Sequence, residues 1–268
     1  MAVRYPQRIV CLTEETTETL YLLGEERRIV GISGYTVRPP RARREKPRVS
    51  AFLSAKNDAI LALKPDLVLG FSDLQADIGR DLAKAGLNVV LFNQRSVDEI
   101  LSMVLMLSSM VGATDRGQKL IDQLQRNLDE VRAAAGRLGR RPRVYFEEWD
   151  EPMISGIRWV SELVSIAGGE DVFAELSRSQ AATGRIVNSD AVLAKAPEVL
   201  IASWCGKKFR PERVRSRPGW ESVPAVRDGE LHEVKSAEIL QPGPAALTDG
   251  VRRLQAIISG WGERRRVA

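Results

Sequence analysis

The chain has 268 residues, of which 44% are hydrophobic and 28% charged, with a net charge of +5. That is the make-up of a mildly basic globular protein, long enough for one large domain or two small ones, each with its own core. A single histidine, His232, nearly excludes a zinc-hydrolase site, and two distant cysteines, Cys11 and Cys205, exclude a disulfide framework.

In chain order, RIVCL (8–12) is predicted as a strand and 13–24 as a helix with Thr13 as N-cap, acids in its first turn and Gly24 at its end. RIVGIS (28–33) is the next strand, followed by a loop through Pro39 and Pro40 to Pro47. Residues 58–72, DAILALKPDLVLGFS, then read as a short helix, a proline stop and a buried strand. A helix over 75–87 and a strand over 88–92 complete a βα alternation that implies a parallel sheet. From Val97 to Leu138 the strand signal vanishes. One helix ends near Gly112, and a long one follows with Leu120, Ile121, Leu124, Leu128 and Val131 on one face.

RPRVYFEEW (141–149) restarts the alternation, and 158–169 is a helix with a double-glycine stop. Residues 190–204, DAVLAKAPEVLIASW, repeat the 58–72 pattern at an offset of 132, matching Asp58 to Asp190 and Pro65 to Pro197. A strand (229–235), a helix (242–261) and a basic tail expected to fray close the chain. A duplicated helix–proline–strand unit half a chain apart implies an α/β protein of two similar lobes with parallel sheets. The boundaries expected are 1–114 for the first lobe, 115–139 for a connecting helix and 140–268 for the second lobe. A ligand cleft is expected between the lobes, at the carboxyl ends of the strands.

That rule selects the candidate ligand contacts by position. In the first lobe they are Thr13, Glu14, Tyr35, Phe52, Phe71, Ser72 and Gln75. In the second they are Glu148, Trp149, Arg158, Trp204, Cys205 and Gln241. Tyr35, Phe52, Trp149 and Trp204 would form flat apolar walls, whereas Trp159 lies within a helix and reads as core. Glu14–Glu15 and Glu147–Glu148 are paired carboxylates. The first pair suits a helix N-terminus, and in a strand the second pair must face opposite sides. The arginines of 38–48 read as a solvated loop, with nucleic-acid or partner docking as the rival.

The ordered motifs RIVCLTEETTETLYLLG, RIVGISGYTVRPPRA, VSAFLSAKNDAILALKPDLVLG, WVSELVSIAGGEDVF, DAVLAKAPEVLI and VPAVRDGELHEV span about 7–261. The chain resembles the substrate-binding proteins of ABC importers for cobalamin and iron-siderophores. The resemblance implies two α/β lobes joined by one long helix, a ligand held between them, and acids at Asp58 and Asp190 that engage arginines of a membrane permease. Cobalamin binders would present Trp where this chain has Phe52 and Phe71, and some place Arg and Asp near 236–244, where this chain has SAEILQPGP.

The expectation is therefore a non-catalytic, monomeric binding protein for a corrinoid, siderophore or related chelate, with no cofactor, no metal, no nucleic acid and no membrane insertion. The alternative is a cytoplasmic metallochaperone or enzyme on the same fold. The opening MAVRYPQRIVCL carries no apolar secretory stretch, so two origins stay open: a cytoplasmic start at Met1, or a periplasmic mature form whose leader has been removed.

Overall fold

The structure is a computed structural model that describes residues 4–267; Met1 to Val3, on which the choice of compartment turns, and Ala268 lie outside it. The chain forms two compact units. The first runs to Gln94 and includes Asp98–Leu124; the second comprises Arg95–Val97 and everything from Gln125.

The first unit is built on β1 (Ile9–Cys11), β2 (Ile29–Ser33), β3 (Arg48–Ser50), β4 (Leu67–Phe71) and β5 (Val89–Phe92). All pairings are parallel, in the order β3-β2-β1-β4-β5. β1 and β4 are buried along their whole length, as strands covered on both faces must be. Around them run α1 (Glu14–Leu22), α2 (Ala42–Glu45), α3 (Asn57–Ala62), α4 (Ala76–Lys84) and α5 (Val97–Met110). α1 and α4 are followed by Gly24 and Gly86 at φ +71° and +89°, the left-handed turn-off that glycine makes without steric cost. Thr13 sits at the N-cap of α1 in extended conformation, but its hydroxyl serves a carboxylate rather than a helix N–H. The single helix expected over 75–87 is a 3-10 turn at Asp73–Gln75 leading into α4.

α6 (Thr114–Ala135) is the long helix, 22 residues and roughly 33 Å at 1.5 Å per residue. Leu120, Ile121, Leu124, Leu128 and Val131 are all buried, as their spacing predicts. Its residues through Leu124 belong to the first unit and those from Gln125 to the second.

The second unit carries β6 (Arg143–Asp150), β7 (Met153–Ser155), β8 (Glu170–Asp171), β9 (Val199–Ala202) and β10 (Leu231–Glu233). The sheet order is β10-β9-β6-β7, with β8 also on β6, and β7 alone is antiparallel. β6 runs to Asp150 and the chain doubles back into β7. Its helices are α7 (Arg158–Ile166), α8 (Ser189–Lys195), α9 (Pro211–Arg215), α10 (Pro224–Arg227), α11 (Ser236–Ile239) and α12 (Val251–Val267). The tail expected to fray continues α12, and Arg264 grips Glu230 through two hydrogen bonds of 2.8 and 2.7 Å. The last helical run begins at 244, two residues after the expected 242, and passes through a π turn, Ala246–Gly250, into α12. Tyr145 anchors the core edge-on to Phe173 and Trp220, with ring centroids 5.5 and 6.4 Å away.

The two copies of the repeat fold alike, as α3–Pro65–β4 and α8–Pro197–β9. Lys64 and Ala196, each just before the proline, take φ +46° and +41°. Proline does bar the right-handed helix at these residues, but they escape into the left-handed region rather than into extended backbone.

Candidate functional site

The carboxyl ends of the first sheet gather an apolar rim. Tyr35 follows β2 and is 57% exposed, Leu53 follows β3 at 68%, and Leu74 follows β4 at 57%. Phe52 is half-buried beside Leu53. Leu53 and Leu74 escaped the sequence reading. Their signal was position alone, since each lies three residues beyond a strand end.

Other candidates hold this rim rather than belong to it. Gln75 is fully buried; its Oε1 accepts the Phe71 N–H at 2.9 Å and its Nε2 donates to the Phe52 carbonyl at 2.9 Å. It is a clamp between strand ends. Phe71 is buried, and Ser72 is buried at φ +64° with its Oγ accepting the Leu74 N–H at 3.2 Å. That conformation is costly for a side-chain-bearing residue, and it fixes where Leu74 stands.

At the start of α1 lie three carboxyl groups. The Thr13 hydroxyl donates to Glu15 Oε1 at 2.6 Å, and Glu15 is 1% exposed with no hydrogen-bond partner for Oε2. Burial pushes the Glu14 carboxyl up to about 7 and that of Glu15 up to about 8. Arg38 reaches Glu18 at 2.9 Å. Part of the basic loop is likewise engaged locally: Arg41 contacts Glu26 at 3.2 Å and lies over the Tyr21 ring at 4.8 Å.

In the second unit, β6 ends in carboxylates that are each matched by a cation. Glu147 is fully buried; it takes both terminal nitrogens of Arg217, at 2.6 and 3.0 Å, and the Trp204 indole N–H at 2.9 Å. Trp204 is therefore core, 3% exposed, and not a wall. Glu148 points the other way, as strand alternation requires, into a two-point pair with buried Arg185 at 2.6 and 3.2 Å. A Glu148 carboxylate held this way is not a free ligand contact. Arg185 also donates to the Ser155 carbonyl at 2.5 Å. Nothing in the loop around Arg185 advertises it in the sequence.

Asp150 is approached by Lys207 at 3.0 Å and Arg213 at 2.7 Å. The same Lys207 lies 3.7 Å from the centroid of the half-buried Trp149 ring, whose Nε1 donates to the Glu151 carbonyl at 2.8 Å. Trp149 thus offers an aromatic face already partnered by a cation. Cys205 is exposed and Gln241 half-buried. Arg158 is exposed on α7 and paired with Glu162 at 2.9 Å, while Trp159 is buried with its indole donating to the Ile239 carbonyl at 2.9 Å.

Asp58 and Asp190 are exposed second residues of α3 and α8. Neither is an N-cap: Lys56 and Asn188 hold those positions, and Asn188 Oδ1 accepts the Ala191 N–H at 2.8 Å. Among the described residues no helix is long and apolar enough to cross a membrane.

Residues 9–238 match the periplasmic binding protein family. An ABC transporter substrate-binding lipoprotein of Bacillus subtilis, itself uncharacterised, is 24% identical over 93% of this chain and 79% of its own length. The vitamin B12-binding protein of Vibrio parahaemolyticus is 26% identical over 92% of this chain and 88% of its own. The apo periplasmic heme-binding protein of Roseiflexus shares the fold, with a TM-score of 0.79 and 23% identity over 94% of this chain and 99% of that one. The chain belongs to the periplasmic binding protein family.

Proposed function

We propose that this member of the periplasmic binding protein family captures a corrinoid, siderophore or related chelate at the carboxyl ends of its strands and hands it, chemically unchanged, to an ABC importer. The observation that carries this reading is the apolar rim of Tyr35, Phe52, Leu53 and Leu74. Large apolar side chains left in water at the ligand-binding edge of a parallel sheet cost free energy that a flat, mostly apolar ligand would recover. Asp58 and Asp190 are the docking acids, one per repeat, free of capping duty and open to solvent.

The test is binding of cyanocobalamin, hemin and a ferric hydroxamate followed by tryptophan fluorescence. At least one should bind saturably, and Tyr35→Ala with Leu53→Ser should weaken it about tenfold or more, from the apolar area lost. Affinity unchanged in that double variant would remove the rim from the site.

A further inference from the structure

A cavity of about 760 Å³ in the second unit lies against the Arg158–Glu162 pair. Residues of α7, of β8 and of the turn after β8 line it, and three of its lining residues are Arg141, Arg158 and Arg178. Arg141 donates to the carbonyls of Ser165 at 2.9 Å and Gly169 at 2.6 Å, neutral acceptors that fix the side chain without cancelling its charge. Arg178 has no ion pair among the described residues.

The acids on the same wall are less available than their number suggests. Glu162 already accepts from Arg158 at 2.9 Å and from the Val97 N–H at 2.7 Å. Asp171 accepts the Phe173 N–H at 3.0 Å, while its Oδ2 is buried without a partner. Burial raises the Asp171 carboxyl above the ordinary range, which favours its neutral form. Glu170 stands exposed at the rim.

We propose that this cavity is a second binding site, for a small phosphate ester whose phosphoryl oxygens meet Arg141 and Arg178 and whose hydroxyls meet Asp171 and Ser161. Guanidinium groups present paired N–H donors that match phosphate oxygens. The volume falls in the range of small-molecule sites and far exceeds one inorganic phosphate, so the ligand carries an organic body. A wall carrying Ser161, Ser165 and Ser177 suits a polyhydroxylated body better than an apolar one.

The experiment is calorimetric titration of the full chain, in chloride buffer, with glucose 6-phosphate, inorganic phosphate and glucose. Glucose 6-phosphate should bind saturably, phosphate more weakly, and glucose not at all. Arg178→Ala should weaken the ester tenfold or more without lowering the melting temperature, because its side chain is exposed, and Arg178→Lys should recover part of the loss. The proposal is overturned by absence of saturable binding to the native chain, by equal affinity in the Arg178→Ala variant, or by binding that salt abolishes equally in every variant.

Discussion

Asp66 and Glu198 make the same reciprocal contact in the two units. Asp66 donates its N–H to the Arg8 carbonyl at 2.9 Å while its carboxylate accepts the Arg8 N–H at 2.9 Å. Glu198 donates to the Arg143 carbonyl at 2.8 Å and accepts the Arg143 N–H at 3.1 Å. Each acid thereby closes the start of the neighbouring strand, whose first N–H the ladder leaves open. This is the physical reason the repeat keeps an acid after its proline. Burial alone would raise the Glu198 carboxyl, but Arg140 and the Arg143 N–H overcome it and hold the group below the ordinary range.

Removing these acids should therefore destabilise unequally. Asp66→Ala, at an exposed site, should cost about 1 kcal/mol, and Glu198→Ala, buried and gripped by Arg140 at 2.7 and 2.9 Å, about 2–3 kcal/mol. The Glu198 contribution is present above pH 4.5 and is lost as pH falls through its lowered folded value. Urea unfolding of the two variants at pH 7 measures both; equal small effects would mean that the strand starts are held by other contacts.

Lys64 and Ala196 make a prediction of the opposite sign. At φ +46° and +41°, a Cβ is unfavourable by about 1–2 kcal/mol, partly offset by the greater unfolded-chain freedom of glycine. Lys64→Gly and Ala196→Gly should each stabilise by about 0.5–1 kcal/mol, seen as a higher melting temperature. Destabilisation by either would argue against left-handed backbone before the prolines.

The buried acids of α1 predict a pH dependence. Glu14 and Glu15 keep their protons up to about 7 and 8 in the folded chain, against about 4.5 when unfolded. The folded state then binds more protons than the unfolded one between these values, so their contribution is full below pH 4.5 and is lost as pH rises through 7–8. We expect native stability to drop by several kcal/mol between pH 5 and pH 8.5, since each group contributes about 1.4 kcal/mol per pKa unit. Glu15→Gln should flatten that drop, and a Gln variant with an unaltered pH–stability curve would refute it.

Docking separates from folding in the next test. Asp58→Asn with Asp190→Asn removes two exposed charges but no cap, so stability should change by less than about 0.5 kcal/mol while ligand affinity holds. Association with a cognate permease should slow markedly and lose its salt dependence. Unaltered association kinetics would leave these residues as first-turn acids only.

The repeat was legible in the sequence because proline, acid and a run of buried aliphatics each carry a local signature. The same holds for α6, whose apolar residues keep a helical period. β7 was not legible, since Met153–Ser155 has no alternation and pairs only because β6 runs on to Asp150 and turns back. Arg185 and Arg217 were invisible for a related reason: one ends a short 3-10 turn, the other lies in a loop, and they find their carboxylates 37 and 70 positions away. Gln75 was legible as a strand-end polar residue but not as a clamp, because its two partners are backbone atoms that only the folded sheet assembles.

The central claim is capture without chemistry. Native mass spectrometry of the full chain, mixed with cyanocobalamin, hemin and a ferric hydroxamate and then denatured to release what is bound, tests it most directly. The account predicts a non-covalent complex with one of the three chelates, from which the chelate is recovered at its original mass after prolonged incubation. Recovery of a chemically altered chelate, or the lack of a complex with all three, would contradict it.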